Sequence, residues 1–242
     1  MKSTERFAEL MYCNSVENWR DLIFKLGKDF GYEQTLLAIL PDPSAPVEAE
    51  FAFLHSNYSA EWRNKYDAQQ LQNVDPTFSH CASKSIPLIW SPEIFSGKKQ
   101  KEMYEEACGH GLRSGVTLPI HGSQGEMGTL CFVTDKAPGK HFQQEAQRTL
   151  PELSYFRDFI FETSLRFMKP AESPEKVPPI TRCELECLKW CAAGKSSRAI
   201  AQILNCSVAT VDFHFTNLRN KFNVSSRLQV VAKALLYGLI NL

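Results

Sequence analysis

The segment LNCSVATVDFHFTNLRNKFNV, residues 204–224, decides how the C-terminal part of this chain folds. Val211, Phe215, Leu218 and Phe222 recur at helical spacing, so one stripe of a helix is buried. The opposite side carries Thr210, Asp212, Thr216, Asn217 and Asn220, with Arg219 and Lys221 near the end. Ser207 is placed to cap this helix. Asn223 and the two serines after it close it and start another, RLQVVAKALLYGLI (227–240). Upstream, TRCELECLKWCAAGKSS (181–197) opens with Thr181 and Glu184 at capping-box spacing. Leu185, Leu188 and Ala192 line its inner face, and Gly194 supplies a left-handed stop. Ser196 or Ser197 caps a short helix through Ile200, Ala201, Ile203 and Leu204. A short helix, the turn NCS and a longer helix with a polar outer face make a helix-turn-helix within a four-helix, all-α unit.

Charge is divided along the chain in the same way. Residues 181–242 hold 8 Lys+Arg against 3 Asp+Glu, whereas residues 1–169 hold 18 against 22. A basic unit joined to a mildly acidic one suits a polyanion that meets the C-terminal part alone. Between them, residues 170–180 contain four prolines (170, 174, 178, 179) among charged residues, the composition of an extended linker. The expected boundaries are therefore 1–169, 170–180 and 181–242. The 43% hydrophobic content excludes a disordered chain. No apolar run approaches the ~18–20 residues of a membrane span, and the first residues lack a signal peptide's apolar core. Eight cysteines scattered through apolar stretches read as reduced thiols, so a soluble cytoplasmic protein without membrane contact is expected.

The N-terminal part alternates periodicities. WRDLIFKLGKDFGY (19–32) is an amphipathic helix with Trp19, Leu22, Ile23, Leu26 and Phe30 inward. TLLAIL (35–40) and AEFAFLHS (49–56) are strand-like and joined through PDPSAP, and GVTLPIHGSQGEMGTLCFVTD (115–135) reads as two strands around a Gly-rich turn. Residues 140–168 form a long helix with Phe142, Leu150, Leu153, Phe156 and Ile160 inward. Mixed in this order, helices and strands predict an antiparallel sheet covered on both faces, an α+β unit.

Two sets of side chains carry chemistry. A helix fits the major groove of double-stranded DNA, where short polar side chains reach base edges and cations hold phosphates. Thr210, Asp212, Thr216 and Asn217 fall at base-edge positions beside the cap Ser207, and Lys195, Ser197, Arg219, Lys221 and Arg227 at phosphate positions. In the N-terminal part Tyr58, Trp62 and Tyr66 recur every four residues as one helical stripe. Each has an apolar body and a hydrogen-bonding tip, which suits packing or a ligand that is mostly hydrocarbon. Asp75, in VDP, is a helix start or an acceptor for an amide N–H. Cys183, Cys187 and Cys191 lie on one helix without a further ligand and are assigned to packing rather than to a metal. His80, His110 and His121 lack any accompanying nucleophile motif, phosphate loop or metal spacing, so neither catalysis nor a cofactor is expected.

Glu184, Leu188, Gly194, Lys195, Ile200–Ala201, Ser207, Thr210–Val211, Phe213–His214, Asn217 and Lys221 together resemble the C-terminal module of LuxR-type regulators. NYSAEWRNKYDAQQLQNVDPT (57–77), with SHC at 79–81 and EEA at 105–107, resembles the signal-binding segment of LasR-like acyl-homoserine-lactone receptors in that family. The resemblance implies an α-β-α sandwich holding an N-acyl-homoserine lactone between sheet and helices; a homodimer on a dyad operator and RNA polymerase are the further expected partners, and the alternative is an orphan regulator of this type that responds to a different small molecule or a protein partner. It implies that Trp62 donates to the lactone carbonyl, that Asp75 accepts from the amide N–H and that Tyr58 donates to an acyl-side oxygen. Arg63, Tyr66, Thr77, Trp90, Phe95, Met103, Leu112, Thr117 and Met127 would wall the pocket. Where such receptors offer a strand serine, this chain has Cys131, with Thr129 on the same strand face as the alternative donor. Leu228, Val231, Leu235 and Leu239 make an apolar seam on the last helix that suits pairing of two C-terminal modules.

Overall fold

In a computed structural model the described residues are 3–41, 51–168 and 178–240, so most of the proposed linker lies outside them. The chain divides into two compact units, residues 1–171 and 172–242.

In the N-terminal unit, five antiparallel strands are ordered β2-β1-β5-β4-β3. They are β1 (Gln34–Leu40), β2 (Phe53–Ser56), β3 (Leu88–Ile89), β4 (Ser114–His121) and β5 (Met127–Thr134). Strand alternation sorts their side chains onto two faces. Leu37, Ile39, Val116, Leu118, Ile120, Leu130 and Phe132 enter the main core. There they meet α1 (Val16–Asp29), an N-terminal 3₁₀ helix (Ser3–Tyr12) and α5 (Lys140–Ser164). Trp19 anchors this face, fully buried with its indole N–H donating to Thr163 Oγ1 at 2.8 Å. α5 stops at Ser164, short of the expected 168, where the chain tightens so that Phe167 and Met168 both donate to the Ser164 carbonyl.

The other face turns Leu36, Cys131 and Val133 toward a second apolar cluster. Over it lie α2 (Ala60–Ala68), α3 (Pro76–Ser83) and α4 (Lys98–Gly109). The α-β-α sandwich is thus present, with two separate cores on either side of one sheet.

The C-terminal unit contains α6 (Arg182–Ala192), α7 (Ser197–Ile203), α8 (Val208–Phe222) and α9 (Arg227–Leu236). The Thr181–Glu184 capping box, the Ser196 and Ser207 caps and the left-handed Gly194 and Asn223 stops are all formed. α9 ends at Leu236 rather than 240. Gly238, at φ +64°, turns the chain so that Leu239 N–H donates back to the Ala234 carbonyl and Ile240 enters the core. Of the expected seam, Val231, Leu235 and Leu239 pack partly into this core, and Leu228 is exposed.

Lys221 has a different role from the phosphate contact expected of it. Its Nζ lies 2.7 Å from Glu184 Oε2 and 2.9 Å from the Pro179 carbonyl, and the Glu184 side chain is 3% exposed. Burial alone raises the Glu184 pKa, but the Lys221 ammonium and the Thr181 donors outweigh it and leave a net lowering. The ammonium therefore stabilises a buried carboxylate that also caps α6. Lys221→Met should destabilise the unit by about 1.5–3 kcal/mol, the range for a hydrogen bond to a charged group. Because the folded pKa lies below the ordinary value of 4.5, the parent's advantage should hold above that pH and fade as pH falls through the folded value. Equilibrium unfolding of both proteins between pH 3 and 7 checks this.

Candidate functional site

Between the sheet and α2–α4 lies a cavity of about 360 Å³. Its floor follows from register. Leu36 pairs with Cys131, Ala38 with Thr129 and Leu40 with Met127, so these six residues alternate onto one face of β1 and β5 and all line the cavity. Its roof is built from Tyr58, Trp62, Arg63 and Tyr66, from Asp75 and Thr77 at the start of α3, and from Met103 on α4. Trp90, Phe95 and Leu112 complete the wall.

Tyr58 does not share a helical stripe with Trp62 and Tyr66. Ser59 is in an extended conformation and caps α2, its hydroxyl accepting from Trp62 N–H, so Tyr58 precedes the helix and reaches the cavity from the loop. Thr117 does not line the cavity. It is fully buried, its hydroxyl accepts from the Trp90 indole N–H at 2.8 Å, and it sits 3.3 Å from Cys131 Sγ. It thereby fixes the wall behind the Trp90 ring. Phe78, Cys81, Tyr104, Ala107 and Leu54 also line the cavity, and sequence periodicity did not single them out.

Polar atoms gather at two places. At the first, Asp75 Oδ1 accepts from Thr77 N–H and Thr77 Oγ1, both at 2.8 Å, and Oδ2 accepts from the Tyr66 hydroxyl at 3.0 Å. Asp75 is both the N-cap of α3 and part of the cavity wall. Burial raises its pKa above the ordinary 3.8, against the lowering effect of the Thr77 and Tyr66 donors. Burial likewise holds the Tyr58 and Tyr66 hydroxyls well above 10, as neutral donors. Among the described residues neither the Tyr58 hydroxyl nor the Trp62 indole N–H has a hydrogen-bond partner, and Trp62 is 3% exposed. At the second place, Cys81 Sγ, Thr129 Oγ1 and Cys131 Sγ form a chain with spacings of 3.4 Å. Burial pushes the Cys81 thiol to about 12 and the Cys131 thiol to about 11, so both are neutral and weakly polar.

On the C-terminal unit, Thr210, Asp212, Thr216 and Lys195 are exposed, and Asn217 and Arg219 are partly so. Thr210 Oγ1 lies 2.8 Å from Ser207 Oγ, and Arg219 donates to Thr216 Oγ1. Arg227 is turned inward, its guanidinium 3.7 Å from the Phe215 ring centre and donating to Ser197 Oγ, which supports α8 rather than presenting a free cation. Exposed Phe213 and Val208 also stand on α8, apolar positions that the sequence reading left unassigned.

The autoinducer binding domain family matches residues 15–164, and the luxR family of bacterial regulatory proteins matches residues 178–234. The chain belongs to the LuxR family. It is 30% identical over 233 residues to the transcriptional activator protein VanR of Vibrio anguillarum, covering 96% of this chain and 95% of VanR. With the transcriptional activator protein LuxR of Aliivibrio fischeri it shares 30% identity over 239 residues, 95% of this chain and 90% of that one. A crystal structure of Escherichia coli SdiA has the same fold, with a TM-score of 0.70 at 24% identity over 99% of this chain and 98% of SdiA. A LuxR-family chain is a DNA-binding transcriptional regulator rather than an enzyme, and the cavity lies within its autoinducer-binding domain. Among the described residues no helix is long and apolar enough to cross a membrane.

The raised Asp75 pKa has a measurable sign. A carboxyl whose folded pKa exceeds its unfolded value favours folding at low pH and loses that contribution as pH rises through the folded value. In the ligand-free protein, Asp75→Asn should therefore gain stability relative to the parent as pH rises above about 3.8. Asn retains the cap of α3. Melting curves of both proteins across pH 3.5–6.5 test this, and a difference that is flat with pH would contradict it.

Proposed function

We propose that this regulator senses an N-acyl-homoserine lactone and, with it bound, binds a dyad operator as a homodimer, activating transcription in the cytoplasm through contact with RNA polymerase. The domain assignment is 1–169 for the signal, 170–180 as linker and 181–242 for DNA. One observation carries the ligand reading. A half-buried acceptor, Asp75, stands with two donors that have no partner among the described residues, Trp62 and Tyr58, on the wall of a cavity whose other surfaces are mostly apolar. An acyl-homoserine lactone supplies one amide N–H, carbonyl oxygens and a hydrocarbon chain, which matches that inventory atom for atom. Asp75 takes the amide N–H, Trp62 the lactone carbonyl and Tyr58 an acyl-side oxygen. Thr129, with Cys131 beside it, is the stronger donor on the strand side.

For DNA, α8 enters the major groove with Thr210, Asp212, Thr216 and Asn217 toward base edges and Lys195 and Arg219 toward phosphates, while the Ser197 hydroxyl, donating to Asp212, serves that carboxylate rather than a phosphate. The dyad follows from pairing of two identical modules. A second reading is supported by the same acceptor. A hydroxyl donates to Asp75 as well as an amide does, and the related fold of SdiA has been solved with octanoyl-rac-glycerol. An acylglycerol or another hydroxylated lipid is thus the alternative ligand class.

The amide decides between them. A charge-assisted hydrogen bond contributes roughly 1.5–3 kcal/mol, so Asp75→Asn should weaken lactone binding by roughly ten- to a hundredfold. An N-methylated lactone amide has no hydrogen to donate and should bind the parent as poorly. Combining the two changes should cost little more than either alone. Calorimetric titration of the four combinations measures this. Simple additivity would show that Asp75 does not meet the amide.

A further inference from the structure

Asp212 is an unusual residue for a surface that faces a polyanion. It is the fifth residue of α8 and is exposed. Its carboxylate is nevertheless held in place. Oδ1 accepts from Ser197 Oγ at 2.8 Å, and Ser197 Oγ in turn accepts from Arg227 Nη1 at 2.6 Å. The Arg227 guanidinium is fixed by the Phe215 ring beneath it, 3.7 Å from its centre. A buried cation is therefore relayed through one hydroxyl to one oxygen of Asp212. The second oxygen, Oδ2, has no hydrogen-bond partner among the described residues.

This geometry leaves a fixed, acceptor-only group on the outer face of α8. In the major groove only two base edges present a donor, the N4 amino group of cytosine and the N6 amino group of adenine. The adenine donor sits beside the N7 acceptor of the same base, which repels a carboxylate, whereas the cytosine edge presents the amino group alone. Guanine and thymine offer acceptors, and a carboxylate against them is unfavourable. We infer that Asp212 is a specificity-determining residue whose Oδ2 accepts from the N4 amino group of one cytosine in each operator half-site. The inference rests on the placement of α8 in the groove given above. Ser197 and Arg227 act as positioning residues: they aim the carboxylate and offset part of its charge as it approaches the phosphates.

A purely structural role predicts something else. The Ser197–Asp212 hydrogen bond joins α7 to α8, and an asparagine oxygen makes it equally well. Asp212→Asn therefore keeps the join and changes only the chemistry facing the base. With its oxygen held by Ser197, asparagine turns its amide N–H groups toward the base, donors that suit the acceptors of guanine or thymine and not a cytosine amino group.

The experiment uses the full chain, purified from cells supplied with N-acyl-homoserine lactones spanning short to long acyl chains, and a pool of random-sequence duplex DNA. Selection by the parent should enrich a dyad with an invariant cytosine at one position of each half-site. Asp212→Asn should lose the cytosine at that position in favour of guanine or thymine and leave the others unchanged. On the parent's selected site, replacing that cytosine by 2-pyrimidinone, which lacks the amino group, should weaken parent binding by roughly tenfold. The same replacement should have no effect on Asp212→Ala. If the parent enriches no sequence, the groove placement itself fails. If it enriches a dyad but the Asn variant selects the same bases, or if loss of the amino group weakens the parent and the Ala variant equally, Asp212 reads no cytosine and the inference is overturned.

Discussion

The signal-binding half of the molecule is organised around one carboxylate that burial makes costly. Asp75 ends the loop after α2 and begins α3, and its two oxygens accept from Thr77 N–H, Thr77 Oγ1 and the Tyr66 hydroxyl, with the Phe78 N–H also acting on the carboxylate. Those bonds fix the start of α3 against β4 and β5 and tether Tyr66 of α2 to the same point. Even so, burial outweighs the donors and the pKa stays raised. A site that remains electrostatically short of donors favours a ligand that carries one. The nearby Trp62 and Tyr58 tips have the opposite need, since each lacks an acceptor among the described residues. A small molecule with one N–H and several carbonyl oxygens resolves both, and an entirely apolar molecule of the same volume resolves neither.

The C-terminal unit holds two of its charged side chains with partners of its own, although Nε and Nη2 of Arg227 are buried without a hydrogen-bond partner among the described residues. Glu184 is matched by Lys221, and Arg227 is stacked on Phe215 and bonded to Ser197. Two cations that sequence position alone assigns to phosphates therefore hold the helices together, because each lies within reach of a partner on another helix. What remains outward on α8 is mostly neutral: Thr210, Thr216, Asn217, Asn220 and Phe213, with Asp212 as its acidic member and Arg219 beside Thr216. Neutral and short side chains carry base discrimination rather than bulk attraction to DNA.

Local chemistry was the most legible part of the sequence. The caps Thr181, Ser196 and Ser207 and the stops Gly194 and Asn223 act within a few residues of themselves, so their spacing alone places three helices. The order of helices and strands likewise indicated a sheet covered on both faces. What escaped depends on tertiary distance. Periodicity puts Tyr58 on a helix, but Ser59 caps that helix and it begins only at Ala60. Thr117 alternates onto the cavity face, yet Trp90 covers it. Phe78 and Cys81 line the cavity because α3 packs against β4 and β5, and no local sequence pattern encodes that long-range contact.

The most direct test of the account is the ionisation of Asp75 itself, followed by the carbon resonance of its carboxyl group in the full chain, empty and saturated with an N-acyl-homoserine lactone. An amide N–H donated to the carboxylate stabilises the charged form, so the raised pKa of the empty protein should fall when the ligand binds. By linkage, affinity should then rise with pH through the same range. A pKa that is unchanged or raised further by bound lactone would mean that the ligand only removes water from Asp75, and would contradict the assignment.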